Sequence, residues 1–419
     1  MRSVVAAILV VAAADAMACS GSHGETDAGA ADTGPSSDTG GPPDGGPLGD
    51  AGPEAVCRPP ADCGVEEVVA GMAHTCARLA TGTVACWGSN RNFQLAREGL
   101  DGSTWPLGVA GLPELSRFFR GNIYTCGMAS SGAIWCWGDG TEAMFDETGG
   151  PSSGWITGVS DIVDLARGIA HTCALQTTGR VWCWGFRNDD GELGVGTRDV
   201  HGEPVMVEGL DGVVELALGS WHSCARTSSG RVACWGRNRE GQVGDGTGGT
   251  GDFMTDALSP VFVLDGARRL TAGEDFTCAL RGAGEVLCWG DNSWGRLGIG
   301  SLAEVVASPQ AVVLVGGIEI ADIAAGATHA CALERTGRVL CWGSNGGGAL
   351  GYGAPGGQTS EPVEAAGIDD ATAIAVGEAH TCAIRGDGEL WCWGLNDEGQ
   401  VGDGTTENRS LPVRVVGLR

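Results

Sequence analysis

The chain contains no lysine. All 25 of its basic residues are arginine, set against 52 acids, for a formal net charge of −27. A surface that negative repels phosphate backbones and anionic headgroups, which argues against a nucleic-acid partner. Tyrosine is scarce as well, with 2 residues against 14 tryptophans. Beyond the N-terminus no apolar run approaches the roughly 18 residues that a bilayer-spanning helix needs. No His-Glu-x-x-His helix and no phosphate-cradling loop appears, so the reading is of a non-enzyme without cofactor or metal.

What the chain has in quantity is glycine, with 74 residues, and cysteine, with 17. Glycine at that level suits many short strands joined by tight turns. So many cysteines point to an oxidising compartment. The N-terminus agrees: Arg2, an apolar run over 4–14, then Ala16-Met17-Ala18. Residues 1–18 therefore read as a signal peptide. Ala16-Met17-Ala18-Cys19 also resembles a bacterial lipobox, in which the cysteine becomes the lipidated first residue, although Ala16 stands where leucine is usual. Lipid attachment at Cys19 is the favoured reading, and simple secretion by cleavage of the same bond is the alternative. By the same resemblance, Ser20 suits outer-membrane sorting. Residues 19–56 form a Gly/Pro/Ser/Thr tract whose acids, such as Asp27, Asp32 and Asp38, have no base among them. Such a tract cannot bury enough apolar surface to order itself and reads as an extended tether.

From Gly71 one pattern recurs at about fifty-residue intervals, the signature of a propeller or solenoid. Clear copies are GIAHTCALQTTGRVWCWG over 168–185 and GEAHTCAIRGDGELWCWG over 377–394. Seven copies are present; Tyr124 and Phe276 replace the histidine in the second and fifth. Each reads as a β-hairpin with a three-residue loop ending in glycine, Gly179 for example, at positive φ. Most continue as Asn-x-x-Gly-x-x-Gly; the second lacks this tail. These motifs resemble the repeat of the regulator of chromosome condensation family over about 65–419. The resemblance implies an all-β, seven-bladed propeller of four-stranded blades, an architecture shared by the beta-lactamase inhibitor protein of type II. The strand that precedes later hairpins, such as Pro204-Val-Met-Val, has no counterpart before the first, and Pro412-Val-Arg-Val is spare at the end. A C-terminal strand closing the first blade is therefore expected, leaving no open edge to the ring.

Each copy holds two cysteines ten residues apart: Cys76 and Cys86, Cys126 and Cys136, Cys173 and Cys183, Cys224 and Cys234, Cys278 and Cys288, Cys331 and Cys341, Cys382 and Cys392. The hairpin register sets each pair directly opposite in a non-hydrogen-bonded site, where Cα atoms approach to about 4.5 Å. One disulfide per blade follows, with Cys57 and Cys63 as an eighth and Cys19 left over for the lipid. Zinc would need converging Cys-x-x-Cys knuckles instead. The histidines at 74, 171, 222, 329 and 380 and the Cys-Trp-Gly tryptophans read as packing, because ring symmetry keeps equivalent residues apart. Acidic turns at 189–192 and 245–252 are candidate calcium loops, read first as solvated turns. Aromatics outside the repeat positions, Phe93, Trp105, Phe145, Trp221 and Trp294, are the candidate binding face. The function expected is a monomeric, exported binding module for a protein or a glycan, touching membrane only through its lipid. An inhibitor of an extracellular enzyme is the first alternative and a propeller lyase or hydrolase the second.

Overall fold

The computed structural model describes residues 56–57, 63–121, 123–138, 153–249 and 255–418. The segment read as a signal peptide, Cys19, the tract read as a tether up to residue 55, and Phe145 lie outside them. The described strands form seven four-stranded antiparallel sheets. Blade 1 holds β1 (Val65–Ala70), β2 (His74–Leu79), β3 (Val84–Ser89) and β4 (Gly102–Gly108); blade 2 holds β5 (Leu115–Arg120), β6 (Tyr124–Ala129), β7 (Ile134–Gly138) and β8 (Ser153–Trp155). Blade 3 is β9 (Ile162–Arg167), β10 (His171–Gln176), β11 (Val181–Gly185) and β12 (Val205–Met206); blade 4 is β13 (Val213–Leu218), β14 (His222–Thr227), β15 (Val232–Gly236) and β16 (Ala257–Leu264). Blade 5 follows with β17 (Ala267–Ala272), β18 (Phe276–Arg281), β19 (Glu285–Asp291) and β20 (Val305–Ala311). Blade 6 has β21 (Ile320–Ala325), β22 (His329–Glu334), β23 (Val339–Ser344) and β24 (Gln358–Glu364), and blade 7 has β25 (Ala371–Val376), β26 (His380–Arg385), β27 (Leu390–Gly394) and β28 (Arg409–Arg414).

The hairpin expected of each copy is the central pair of its blade. In blade 3, Gln176 and Arg180 close the loop through a 2.9 Å hydrogen bond and Gly179 sits at φ 77°. That register places Cys173 opposite Cys183, and the same holds in every blade. All seven pairs are bonded, with Cα–Cα distances such as 4.2 Å for Cys173–Cys183 and 4.1 Å for Cys382–Cys392. Cys57 and Cys63 form the eighth disulfide. The Gly-x-x-His step has a steric cause. A Cβ on Gly168 would stand 2.3 Å from the His171 ring, and one on Gly219 would stand 2.2 Å from His222.

Ring closure takes a different form from the one expected. β28 pairs with β27 and completes blade 7, just as β12 pairs with β11 in blade 3, so each blade is built from four consecutive strands. The strand after each hairpin is the outer strand of that same blade, so the first blade lacks nothing and no strand is spare. The C-terminal segment still closes onto the first blade, by hydrogen bonds between loops and side chains. Trp87 Nε1 and Thr75 Oγ1 both donate to the Gln400 carbonyl, at 2.9 and 2.8 Å. Val56 N–H donates to Gly417 O at 3.0 Å and Val65 N–H to Gly388 O at 2.9 Å.

Candidate functional site

Antiparallel order decides what each end of the ring displays. Loops after the first and third strands of a blade emerge at one end; hairpin turns and inter-blade connections emerge at the other. The loops after the third strands carry the Asn-x-x-Gly-x-x-Gly tail, and its asparagine organises them. Asn238 Oδ1 accepts the Val243 N–H at 3.0 Å, and its amide donates to Asp245 and Thr247 at 3.0 and 2.9 Å. Asn292 likewise accepts from Leu297 and donates to the carbonyls of Ser301 and Ala303. These loops are thus held rigid from within, and neighbouring loops present side chains from fixed positions.

A cavity of about 330 Å³ lies inside the inner strands and opens among the loops that follow them. Val69, Phe119, Ala166, Ala217, Leu218 and Thr271 wall it; Met72, Ile169, Ser220, Glu274 and Glu378 line its loop-side mouth. Toward the other end, one repeat position builds a charged collar of Glu67, Arg117, Asp164, Glu215, Arg269 and Asp322, with Ala373 in blade 7. Glu67 accepts the Phe118 N–H of the next blade at 3.0 Å, and Asp164 accepts that of Leu216 at 3.1 Å. Arg117 pairs with Asp164 at 3.6 Å, and Arg269 spans Glu215 and Asp322 at 3.9 and 3.4 Å. Burial pushes the carboxyl groups of all four acids up, and the arginines pull them back.

The five histidines form seam bonds, not a site. Nε2 of His74, His171, His222, His329 and His380 meets the hydroxyl of Thr125, Ser223, Thr277, Thr381 and Thr75 in the next blade, at 2.8 to 2.9 Å. Burial lowers His74 to about 4 and His171 and His222 to about 3, so these rings are neutral at physiological pH. The Cys-Trp-Gly tryptophans are seam residues too. Trp235 donates to the Glu192 carbonyl at 2.9 Å, and Trp289 donates to that of Gln242 at 3.0 Å.

Residues 250–252 of the second acidic turn lie outside the described residues, and the described parts of both turns are internally engaged. Asp245 accepts from Thr247 and Asn238, and Asp190 pairs with Arg239. Among the described residues no group of three or more acids, histidines or cysteines is arranged to hold a metal ion. Glu192 is buried where three other copies carry glutamine, namely Gln94, Gln242 and Gln400. One of its oxygens accepts the Asp190 N–H at 3.0 Å; the other has no partner, and burial pushes the carboxyl up.

The aromatic candidates separate. Trp221 and Trp294 stand on the loop end. Trp294 is 48% exposed at φ 61°, with the Arg296 guanidinium 5.0 Å from its ring. Trp221 is half-buried under Arg187, 4.7 Å from its ring. Trp105 sits in β4 against the Gly404 loop of blade 7, where a Cβ on the glycine would lie 2.2 Å from the indole, so it packs a seam. Phe93 is half-buried at φ 57°, in the place other copies give to glycine. Sequence reasoning missed Phe186, 58% exposed beside Arg187, and the mouth residues Met72, Ile169, Glu274 and Glu378. Their only signal is variation at a repeat position that the fold leaves free.

Residues 119–419 match the RCC1-like domain, and residues 65–94 match the regulator of chromosome condensation (RCC1) repeat. The chain is 34% identical over 240 residues to the E3 ubiquitin-protein ligase HERC2 of Homo sapiens, covering 55% of this chain and 5% of that protein. It is 32% identical over 238 residues to the ultraviolet-B receptor UVR8 of Arabidopsis thaliana, covering 55% and 53%. The chain thus matches about half the length, or much less, of these curated relatives. Among solved structures, yeast RCC1 (Prp20) bound to Kap60 superposes with a TM-score of 0.71 at 20% identity, covering 86% of this chain and 88% of that one. Human WBSCR16 gives 0.69 at 21%, covering 80% and 94%. At such identities these structures speak to the fold alone.

Proposed function

The chain belongs to the RCC1-like domain family, and on that premise we propose that it is a protein-binding module of the cell envelope that presents the loop end of blades 3 to 5 to its partner. The observation that carries this reading is Trp294, half exposed in the left-handed region at φ 61°. A bulky residue is rarely found there, and such conformations concentrate at binding sites. Phe186, Trp221 and Arg187 extend the same end, and aromatic and arginine residues are the usual anchors of protein interfaces. A protein of the same fold has protein partners: the yeast propeller is crystallised with Kap60 and described for its binding to Gsp1p and histones. Those partners are the yeast protein's own.

An exported location is supported by sixteen cysteines paired in eight disulfides and a seventeenth, Cys19, at the end of the signal-like segment. Metabolic labelling with an alkyne fatty acid tests it: the native chain takes up label and Cys19→Ser does not. The binding reading is tested with oxidised residues 57–419 as bait against envelope and secreted fractions. A saturable protein hit is expected, weakened about tenfold by Trp294→Ser, a change of about 1.4 kcal/mol. An empty capture, or one indifferent to Trp294, overturns the reading and returns weight to a glycan ligand or to turnover.

A further inference from the structure

The mouth of the axial cavity departs from the repeat. The residue after the invariant inner glycine is Met72, Asn122, Ile169, Ser220, Glu274, Ala327 or Glu378 in successive blades. The fold uses only the backbone here. Ile169 N–H donates to Ser220 O at 3.1 Å, Ser220 N–H to Glu274 O at 2.9 Å and Glu378 N–H to Gly71 O at 3.1 Å, linking neighbouring loops around the axis. The side chains of Met72, Ile169, Glu274 and Glu378 are exposed at this position, and the two acids line a cavity of about 330 Å³.

These acids differ from those of the collar. Glu67, Asp164, Glu215 and Asp322 each have an arginine within 4 Å. Glu274 and Glu378 have neither an ion pair nor a side-chain hydrogen bond among the described residues. Burial and the charges of Glu274 and Asp397 together push the Glu378 carboxyl up. Two exposed carboxylates with no basic partner at the opening of one cavity offer an arriving cation a charge-assisted contact. Met72 and Ile169, 42% and 44% exposed, supply apolar surface at the same rim. A long cationic side chain has this dual character: an apolar stem that prefers cover and a charged head that prefers a carboxylate.

We propose that the axial mouth is a receptor for a lysine or arginine side chain of the partner protein, its cation held by Glu274 and Glu378 and its stem lying along Met72 and Ile169. The proposal rests on the protein-binding reading above and names the chemistry of the partner. The net charge of −27 attracts such a partner over distance.

The test uses oxidised residues 57–419 and the peptide acetyl-Gly-Gly-Lys-Gly-Gly-amide, with its Nε-acetyl-lysine form as neutral control, followed by protein-observed NMR titration. The lysine peptide is expected to bind and to weaken with added salt. Acetylation, or the variant Glu274→Gln/Glu378→Gln, lowers its affinity about tenfold at unchanged melting temperature. No binding of the lysine peptide at millimolar concentration, equal binding of the acetylated form, or an indifferent variant overturns the proposal. Partner capture separates the two readings. If capture falls with Trp294→Ser but is unchanged in Glu274→Gln/Glu378→Gln, the binding face stands and the cation site falls. If peptide binding depends on the two glutamates while capture ignores Trp294, the cation site stands and the face assignment falls.

Discussion

At the scale of single residues, the seam bonds explain which substitutions the repeat tolerates. Thr277 Oγ1 donates to the Gln242 carbonyl at 3.1 Å, so it can only accept from His222, whose Nε2 must then carry the hydrogen. In blade 5 phenylalanine replaces the histidine, and the residue in blade 6 at the matching position is Ala330, the one copy without a hydroxyl there. Phe276 and Ala330 share a buried cluster. Polar and apolar seams are thus alternative complete solutions, and a mixed one leaves a buried hydroxyl oxygen without its donor. His222→Phe is expected to cost about 1–2 kcal/mol in denaturant unfolding, and adding Thr277→Ala should recover part of it instead of adding its own cost. The same histidines set an acid limit. Their folded pKa values of about 3 to 4 lie below the ordinary 6.5, so the unfolded chain takes up more protons. Their stabilisation is complete above pH 6.5 and is lost as pH falls toward 4, by about 1.4 kcal/mol per pH unit for each ring. Asp275, raised to about 6 chiefly by burial, opposes this: its contribution is lost as pH rises from 3.8 to 6. Unfolding midpoints at pH 7 and pH 5 should therefore differ less in His222→Phe than in the parent chain.

At the scale of the strand, the outer edges matter most. Every blade ends in a strand whose far side has no partner strand among the described residues, and such edges invite pairing between molecules. Five outer strands carry proline: Pro106 in β4, Pro260 in β16, Pro309 in β20, Pro362 in β24 and Pro412 in β28. Proline offers no N–H to an incoming strand. The double variant Pro362→Val/Pro412→Val is expected to form concentration-dependent oligomers, read by light scattering after size exclusion, while the parent chain does not. Inside the blade, each disulfide closes a loop of about ten residues and stabilises by about 3 kcal/mol in the chain-entropy account. Cys173→Ala/Cys183→Ala should lose about that much in denaturant unfolding and keep the ring.

The whole molecule is held as a ring by its last seam. The seam between blades 7 and 1 repeats the bonds of the others, with His380 to Thr75 at 2.9 Å and Trp87 to Gln400 at 2.9 Å. Gly402, at φ 77°, lies against Trp87, and a Cβ there would sit 2.5 Å from the indole nitrogen. Gly402→Val should open this seam. Hydrogen exchange is then expected to rise in β2 and β3 and in β26 and β27 alike, with more than ~2 kcal/mol lost from global stability. Loss of protection confined to blade 7 would mean that the blades fold independently.

The amino-acid sequence by itself determined the number of blades, the hairpins and the cysteine partners. Each is a local matter: a glycine at positive φ sets the turn, the turn sets the register, and the register places Cys173 against Cys183. Which outer strand belongs to which blade was decided only in three dimensions. Pro412-Val-Arg-Val reads equally well before a hairpin or after one, and pairing with β27 settles the choice. The asparagine hubs were not legible either, since a short polar residue in a glycine-rich turn has no local signature of its buried bonds. The same holds for the two ends of the ring. Trp105 and Trp294 look alike in the sequence, yet one packs under Gly404 and the other stands half exposed. Glu274 and Glu378 are a hundred residues apart in a chain of 52 acids and become neighbours of one cavity because the ring brings equivalent loops to a common axis.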